Sequence, residues 1–444
     1  MNEQHVAVIG GGIAGLGAAW LLSPRYRVTL VEANDYVGGH THTVDCPVEE
    51  GSVPVDTGFI VYNEPNYPNL AALFRHLGIK THESDMSFAF AARDVDIEYA
   101  GDNVNTLFGQ RRNLVRPVFW RMLADVIRFN RDANRRLDTG MREDLTLGEL
   151  LDELRLGTAF RRYHLLPMSA AIWSCPQQRI LDFPAERFLR FFRNHGLTQL
   201  TNRPQWRTVV GGGREYVRRM LSAVHEVLID TPVTRLERTD DGVVVRSHAG
   251  EVGRFDQVVV AAHADQALAM IDTPTFREQK VLGAFRYERN DAWLHGDPGL
   301  MPRRRRLWAS WNHLTDRAGG GDWPVSVTYW MNRLQQLQTR SNVFVTLNPL
   351  DPPDASLVYR RMSYEHPVFD GDAIRAQRLL PTIQGRDRLW FCGSYCGYGF
   401  HEDALGAAVG VAERLGAPAP WSGVGAVEPP AEPAGILAET GALS

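Results

Sequence analysis

Apolar positions gather first in "HVAVIGGGIAGLGAAWLLS", where a short β-branched run meets three glycines and then an apolar stretch of helical length. This predicts strand, turn and helix at the start of the chain. "RYRVTLVEA" predicts the next strand. Within "YNEPNYPNLAALFRHLGI" the pattern shifts to helical spacing, with a proline at the start. "MSFAFAARDVDIEYAG" alternates like a strand or hairpin. From about residue 105 to 200 the pattern is helical and rich in arginine and aromatic residues. Short strands return in 205–262, with "DDG" at 240–242 as a hairpin turn. "VLGAFRYE", "RLWASWNH", "VSVTYWMN" and "NVFVTLNP" predict further strands. "RLWFCGS" predicts the last one, followed by a glycine-rich turn and the helix "ALGAAVGVAERLG". The Pro/Ala/Gly-rich residues 417–444 predict a disordered tail.

Composition excludes several classes. The 444 residues are 44% hydrophobic, enough for a sizeable core in two or three domains. The net charge of −4 provides no field for nucleic acid. Lysine occurs only at positions 80 and 280, so nearly all basic charge is arginine. The four cysteines form no C-x-x-C pair, which fits a reducing compartment. The N-terminus lacks the features of a signal peptide, and no apolar run approaches a membrane span. A cytoplasmic protein is expected, with contact at the inner face of a membrane left open.

The first glycines supply Gly10-x-Gly12-x-x-Gly15, with Ile13 and Ala14 opening the helix. Such a turn brings backbone N–H groups and a helix N-terminus to a pyrophosphate. Glu32 ends the second strand at about the ~20-residue offset of a ribose-binding acid. Beyond it, "GGHTHT" raises a second reading: His40 and His42 in alternation could form half of a metal site. No third ligand is nearby, and Gly38 and Gly39 commit that segment to a cofactor, so no metal is expected. His40 and Thr41 then read as polar contacts to the cofactor or a domain interface.

Four segments in order resemble the flavin-containing amine oxidase superfamily, which includes protoporphyrinogen oxidases and phytoene desaturases. They are the glycine motif with its Glu32–Thr43 extension, "VDTGF", "TPVTRLE" with "FDQVVVAAH", and "RLWFCGSYCGYGFHEDALGAAVGVAERLG". The resemblance implies an α/β fold with a Rossmann-like FAD-binding domain and a second α+β substrate domain. It implies FAD, bound without a covalent link because no cysteine has the usual context. It places Gly58 and Phe59 near the flavin, Val233 at the adenine, and Gly393 and Ser394 near the pyrophosphate and ribityl chain. It brings Asp403, Ala404, Leu405 and Gly406, at a helix start, to the flavin ring. The FAD domain would comprise residues 1–85, 205–270 and 380–416. The substrate domain would comprise a helical part, 86–204, and a sheet part, 271–379.

Members of this superfamily usually carry arginine where this chain has His40. "GGHTHT" with "GFHED" is more similar to a bacterial branch of FAD-dependent oxidoreductases associated with cyclopropane-fatty-acid-synthase-type methyltransferases. That likeness implies an unsaturated or methyl-branched acyl chain of membrane lipid as substrate and a methyltransferase as a possible partner. The alternatives are an amine or amino-acid oxidase, an isoprenoid or porphyrinogen desaturase, and a non-catalytic flavoprotein partner. Amine oxidases often hold a lysine near the flavin. Here Gly283 stands near that position, and Lys280 is the only nearby candidate.

Tyr398, His401 and Glu402 are the candidate catalytic residues, with Phe400 beside them at the turn before the last helix. Glu402 or Asp403 could equally cap that helix. Cys392 and Cys396 read as small buried residues. Trp311, Asn312, His313, Tyr329, Trp330 and Asn332 could line a substrate pocket, although core packing suits the two tryptophans better. In 111–136 eight arginines interleave with Phe119, Trp120 and Phe129. That pattern reads as a solvated helix face or as a surface for anionic headgroups.

Overall fold

The computed structural model describes residues 4–142, 144–199, 203–316 and 326–422. Its first layer is a parallel five-stranded sheet in the order Glu226–Leu228, β2 (Arg27–Val31), β1 (His5–Ile9), Gln257–Val260 and Leu389–Phe391. The central strands read as unbroken apolar runs because both faces are covered. On one face lies α1 (Ile13–Leu22), packed against the last helix, His401–Arg414. The other face is covered by the antiparallel meander Val233–Thr239, Gly242–Ser247 and Gly250–Phe255, and by the helices Ala264–Met270, Phe276–Leu282 and Gly371–Leu379. The chain therefore meets this sheet three times, as the dispersed motifs require.

A second, seven-stranded mixed sheet runs from Val358–Val368 through Arg286–His295, Phe344–Leu347, Ser326–Trp330, Trp311–Thr315 and Phe88–Ala92 to Ile97–Ala100. The last two form the expected hairpin. Helices including Pro117–Thr139, Leu166–Trp173 and Ala185–Asn194 build the helical part, and their apolar faces share one core with this sheet. This mixed α/β architecture matches the expected two-domain fold.

Three local expectations change. "VLGAFRYE" is not one strand: Val281 and Leu282 end a helix, and the strand starts at Arg286. The helix caps at Thr275 through a reciprocal Thr275–Glu278 box, a local signal that overrides the β-branched residues. The tail does not begin as a loose segment at residue 417. Ala417 and Ala419 are buried, and Trp421 stacks on Trp20 while its Nε1 donates to Asn69 Oδ1 at 3.0 Å. Residues 423–444 lie outside the described part. The arginine-rich stretch is not one helix: Arg111–Val115 is a 3₁₀ turn, and proline starts the helix at 117. Among the described residues, no helix is long and apolar enough to cross a membrane.

Candidate flavin site

The nucleotide cradle is built from backbone. Gly12 caps α1 with no side-chain hydrogen bond, leaving the first N–H groups of that helix for an incoming acceptor. A Cβ added at Gly12 would meet nothing within 4 Å, so open space lies in front of the helix end. At Gly15 the reverse holds. A Cβ there would stand 1.8 Å from the Gly10 carbonyl oxygen, so helix and turn approach as closely as glycine allows. Ile13 and Ala14 are buried in this first turn. The Gly38 N–H donates to Gly11 O at 2.9 Å, and Gly39, with φ +57°, turns the second motif against Gly12.

Glu32 is buried at the end of β2. One carboxylate oxygen accepts the Gly11 N–H at 2.6 Å; the other accepts the Asn34 N–H and side-chain amide. No basic side chain pairs with it among the described residues. The backbone leading to Val233 passes alongside, with Thr231 N–H donating to Glu32 O at 2.9 Å. Glu32 and Val233 thus sit at the same end of the cradle, and the donors and the acid fit an adenine dinucleotide. Gly393 and Ser394 follow the neighbouring edge strand, Leu389–Phe391.

At the other end, the Phe59 N–H donates to His40 O at 2.8 Å, and Gly58 presses against the same carbonyl. His40 lies between the rings of Tyr364 and His366, with centroids 5.0 and 5.2 Å away. Its Nε2 is buried without a hydrogen-bond partner. Burial pushes the His40 imidazole well below its usual range, and His366 to about 4, so both rings are neutral at pH 7. The histidine that replaces the usual arginine therefore also removes a charge. His42 is tied instead to the seven-stranded sheet, through Nδ1 to the Tyr364 hydroxyl at 3.0 Å, and it stacks on Tyr36.

At the start of the 401–414 helix the candidate side chains His401 and Glu402 are both held by other protein groups. His401 is sandwiched against Phe59, and its Nε2 meets the hydroxyls of Thr41 at 3.0 Å and Tyr216 at 2.9 Å. Burial lowers its pKa to about 3. Glu402 accepts the N–H groups of Asn69 and Leu70, at 2.9 and 3.0 Å, and so caps α2 (Pro68–Leu77), whose own N-cap residue Tyr67 offers no side-chain bond. Asp403 caps its own helix by accepting the Phe400 N–H at 2.9 Å. The cap reading of the last helix thus holds for Asp403, whereas Glu402 serves α2 instead. Ala404 and Leu405 are buried, Leu405 against Gly17 of α1, and Gly406 faces Asn69.

Tyr398 borders a pocket. Trp173, Phe183, Phe188, Phe369 and Ile374 line it with Tyr398, and Arg187 is its one charged lining residue. The Arg187 guanidinium lies 4.6 Å over the Tyr398 ring and is oriented by the Gln377 side-chain oxygen and Gly397 O. No carboxylate stands within ion-pair distance of it among the described residues. Sequence reasoning missed Arg187, Tyr216 and Asn69, because nothing in "ERFLRFFRNHG" links Arg187 to a tyrosine more than two hundred positions later. Lys280 faces solvent, as does Lys80, so neither enters the site. His313 stacks on Phe90 and Asn312 bonds the backbone of Ala309 and Thr328; both are core residues. Asn332 bonds the Ser341 and Val343 backbone. Trp311 and Tyr329 pack edge to face. Cys392 and Cys396 carry free thiols, and burial raises that of Cys396 to about 12.

Residues 13–287, more than half of the chain, match the model of the flavin-containing amine oxidoreductases. The chain belongs to that family. That family is described as one of flavin-containing oxidoreductases. It is 26% identical over 271 residues to flavin-containing amine oxidase A of Canis lupus familiaris, covering 58% of this chain and 49% of the relative. To the human amine oxidase B it is 26% identical over 279 residues, covering 59% and 50%. The chain thus spans about half the length of the curated relatives it matches. Among solved structures, a CLA-producing fatty acid isomerase from P. acnes superposes with a TM-score of 0.66 at 15% identity, covering 93% of this chain and 99% of the other. Cyclohexylamine oxidase from Brevibacterium oxydans IH-35A gives 0.64 at 16% identity, covering 93% and 100%. At such identities the structural likeness shows the fold.

Proposed function

We propose that this flavoprotein oxidises an aliphatic carboxylic acid or its acyl derivative, an unsaturated or methyl-branched chain of the kind found in membrane lipid. The observation that carries this is the cluster of aromatic side chains around Tyr398, with the Arg187 guanidinium lying over the Tyr398 ring. A guanidinium held by the neutral acceptors Gln377 and Gly397, with Asp403 acting on it only as a nearby charge, suits an incoming carboxylate or phosphate. It disfavours a protonated amine, and both lysines are exposed, so the usual amine oxidase lysine has no counterpart. A fatty acid isomerase of the same architecture is a precedent for acyl chains in this fold.

FAD, when bound, supplies the two-electron acceptor for hydride removal from a substrate carbon. The chain's residues do the rest. Gly12 and the N-terminus of α1 would hold the pyrophosphate, and Glu32 the ribose. The N-terminus of the 401–414 helix presents a positive dipole end toward negative charge. Trp173, Phe188 and Tyr398 exclude water from an apolar chain, while Arg187 fixes its acidic end.

The test is binding of a long-chain fatty acid to wild type and Arg187→Met, read by perturbation of the flavin absorbance band. At least tenfold weaker binding to the variant is expected, in line with a charge-assisted bond of about 1.5–3 kcal/mol. Equal binding would remove Arg187 from the reading. The amine oxidase reading has one observation in its favour, the sequence relatives, and amine-driven flavin reduction would support it.

A further inference from the structure

The arginine-rich segment separates into two kinds of residue. Arg116 is used internally: it donates to Asp96 O and pairs with the Asp96 carboxylate at 3.5 Å. Arg128 pairs with Asp125 and Arg136 with Glu153. Arg111 holds the Phe108 carbonyl and Asn105. In contrast, Arg121 and Arg135 are exposed with no ion pair among the described residues. Arg112 is also largely in solvent, 3.6 Å from Asp96.

Between these charges, large apolar side chains are exposed where the helix starts. Val115 is 78% exposed and Ile127 64%, and Leu114, Val118 and Trp120 are also exposed. They form one corner. Trp120 Nε1 donates to Leu114 O at 2.9 Å, and its ring lies 5.2 Å from Phe108. Trp120, Ala124 and Ile127 then follow one another along the outer face of the 117–139 helix. Phe119, Met122, Phe129 and Ala133 occupy the opposite, buried face. The core therefore does not use the outer apolar residues, and their exposure in one cluster is unusual for a free surface.

We propose that this corner, with Val115, Trp120 and Ile127 at its centre and Arg112, Arg121 and Arg135 around it, docks on the surface of an anionic lipid bilayer. Charge complementarity selects that occupant. The rim groups are guanidinium ions, two of them without an ion pair among the described residues and Arg112 with a long one to Asp96, which suit phosphate headgroups, and the centre is aliphatic with one tryptophan, the side chain suited to the interface. The protein would lie on the bilayer, not span it. The proposal is independent of the acyl-chain reading above, because vesicle binding is measured without turnover.

The experiment is co-sedimentation of the flavin-loaded full-length protein with vesicles of phosphatidylcholine, with and without 30% phosphatidylglycerol. Wild type is expected to bind the anionic vesicles at least tenfold more tightly than the neutral ones, with the excess lost at high salt. Arg112→Ser/Arg121→Ser should lose at least tenfold on anionic vesicles. Val115→Asp/Ile127→Asp should lose binding altogether, with flavin content and thermal midpoint close to wild type because neither side chain is buried. Equal binding to neutral and anionic vesicles, or variants that bind like wild type, would overturn the proposal. So would a Val115→Asp/Ile127→Asp protein that changes from dimer to monomer while vesicle binding stays constant, since the corner would then be covered by a second copy.

Discussion

The rings of Phe59 and His401 lie parallel, with centroids 3.7 Å apart and planes inclined by 5°. One residue follows the second nucleotide motif and the other opens the last helix, so this stack fastens two segments distant in sequence together. It also consumes His401. With one face on Phe59 and Nε2 between two hydroxyls, the imidazole has a ring face and one nitrogen engaged by the protein. His401→Ala should therefore lower stability by about 2–3 kcal/mol through a void and lost hydrogen bonds. Urea denaturation would read that loss. The pH profile of flavin reduction should stay the same, whereas an acid/base role would shift it.

Glu402 works at a similar distance in sequence, on Asn69 and Leu70. Replacing it with alanine removes the side-chain cap that α2 has among the described residues, and a loss of about 1–2 kcal/mol is expected. Glu402→Gln retains one acceptor and should lose less. The thermal midpoints of the two variants measure the difference.

Gly12 and Gly15 separate cofactor binding from folding. An alanine at Gly12 would enter open space, so Gly12→Ala should fold with normal stability as apoprotein and bind FAD at least tenfold more weakly. An alanine at Gly15 would collide with Gly10 O, so Gly15→Ala should fail at the folding stage. Refolding the apoproteins and titrating FAD by fluorescence quenching distinguishes the two.

The buried histidines set the response to acid. Burial lowers His401 and His313 to about 3, and His164, His195 and His366 to about 4. Each is neutral in the folded protein and takes up a proton on unfolding below about pH 6.5. Their contribution is thus fully present above that pH and is lost as pH falls toward 4. Asp56 and Asp403, raised to about 6, and Glu402, raised to about 7, act in the opposite sense, favouring the folded state as pH falls. The histidines outnumber them, so the urea midpoint should drop between pH 6.5 and 4.5. His313 has both ring nitrogens buried without partners. His313→Phe should therefore flatten that slope and gain about 1 kcal/mol at pH 5.

The sequence made the cofactor legible because glycine spacing and Glu32 act through local backbone geometry. The backbone position of His40 was legible for the same reason, since Gly38 and Gly39 fix its place. The jobs of His401 and Glu402 were not. Their partners, Phe59, Thr41, Asn69 and Leu70, lie more than three hundred residues away, and only the packing of the last helix on α1 brings them together. Arg187 was hidden in a helix whose other face is core. Likewise, the arginines of 111–136 look alike in sequence, and only Asp96, Asp125 and Glu153 decide which of them remain free.

The most direct test of the central claim is anaerobic mixing of the FAD-loaded protein with two panels: long-chain unsaturated and methyl-branched fatty acids with their phospholipids, and primary and secondary amines. The account predicts bleaching of the oxidised flavin band by a member of the acyl panel, and none by the amines. Bleaching by an amine, with the acyl panel silent, would contradict it.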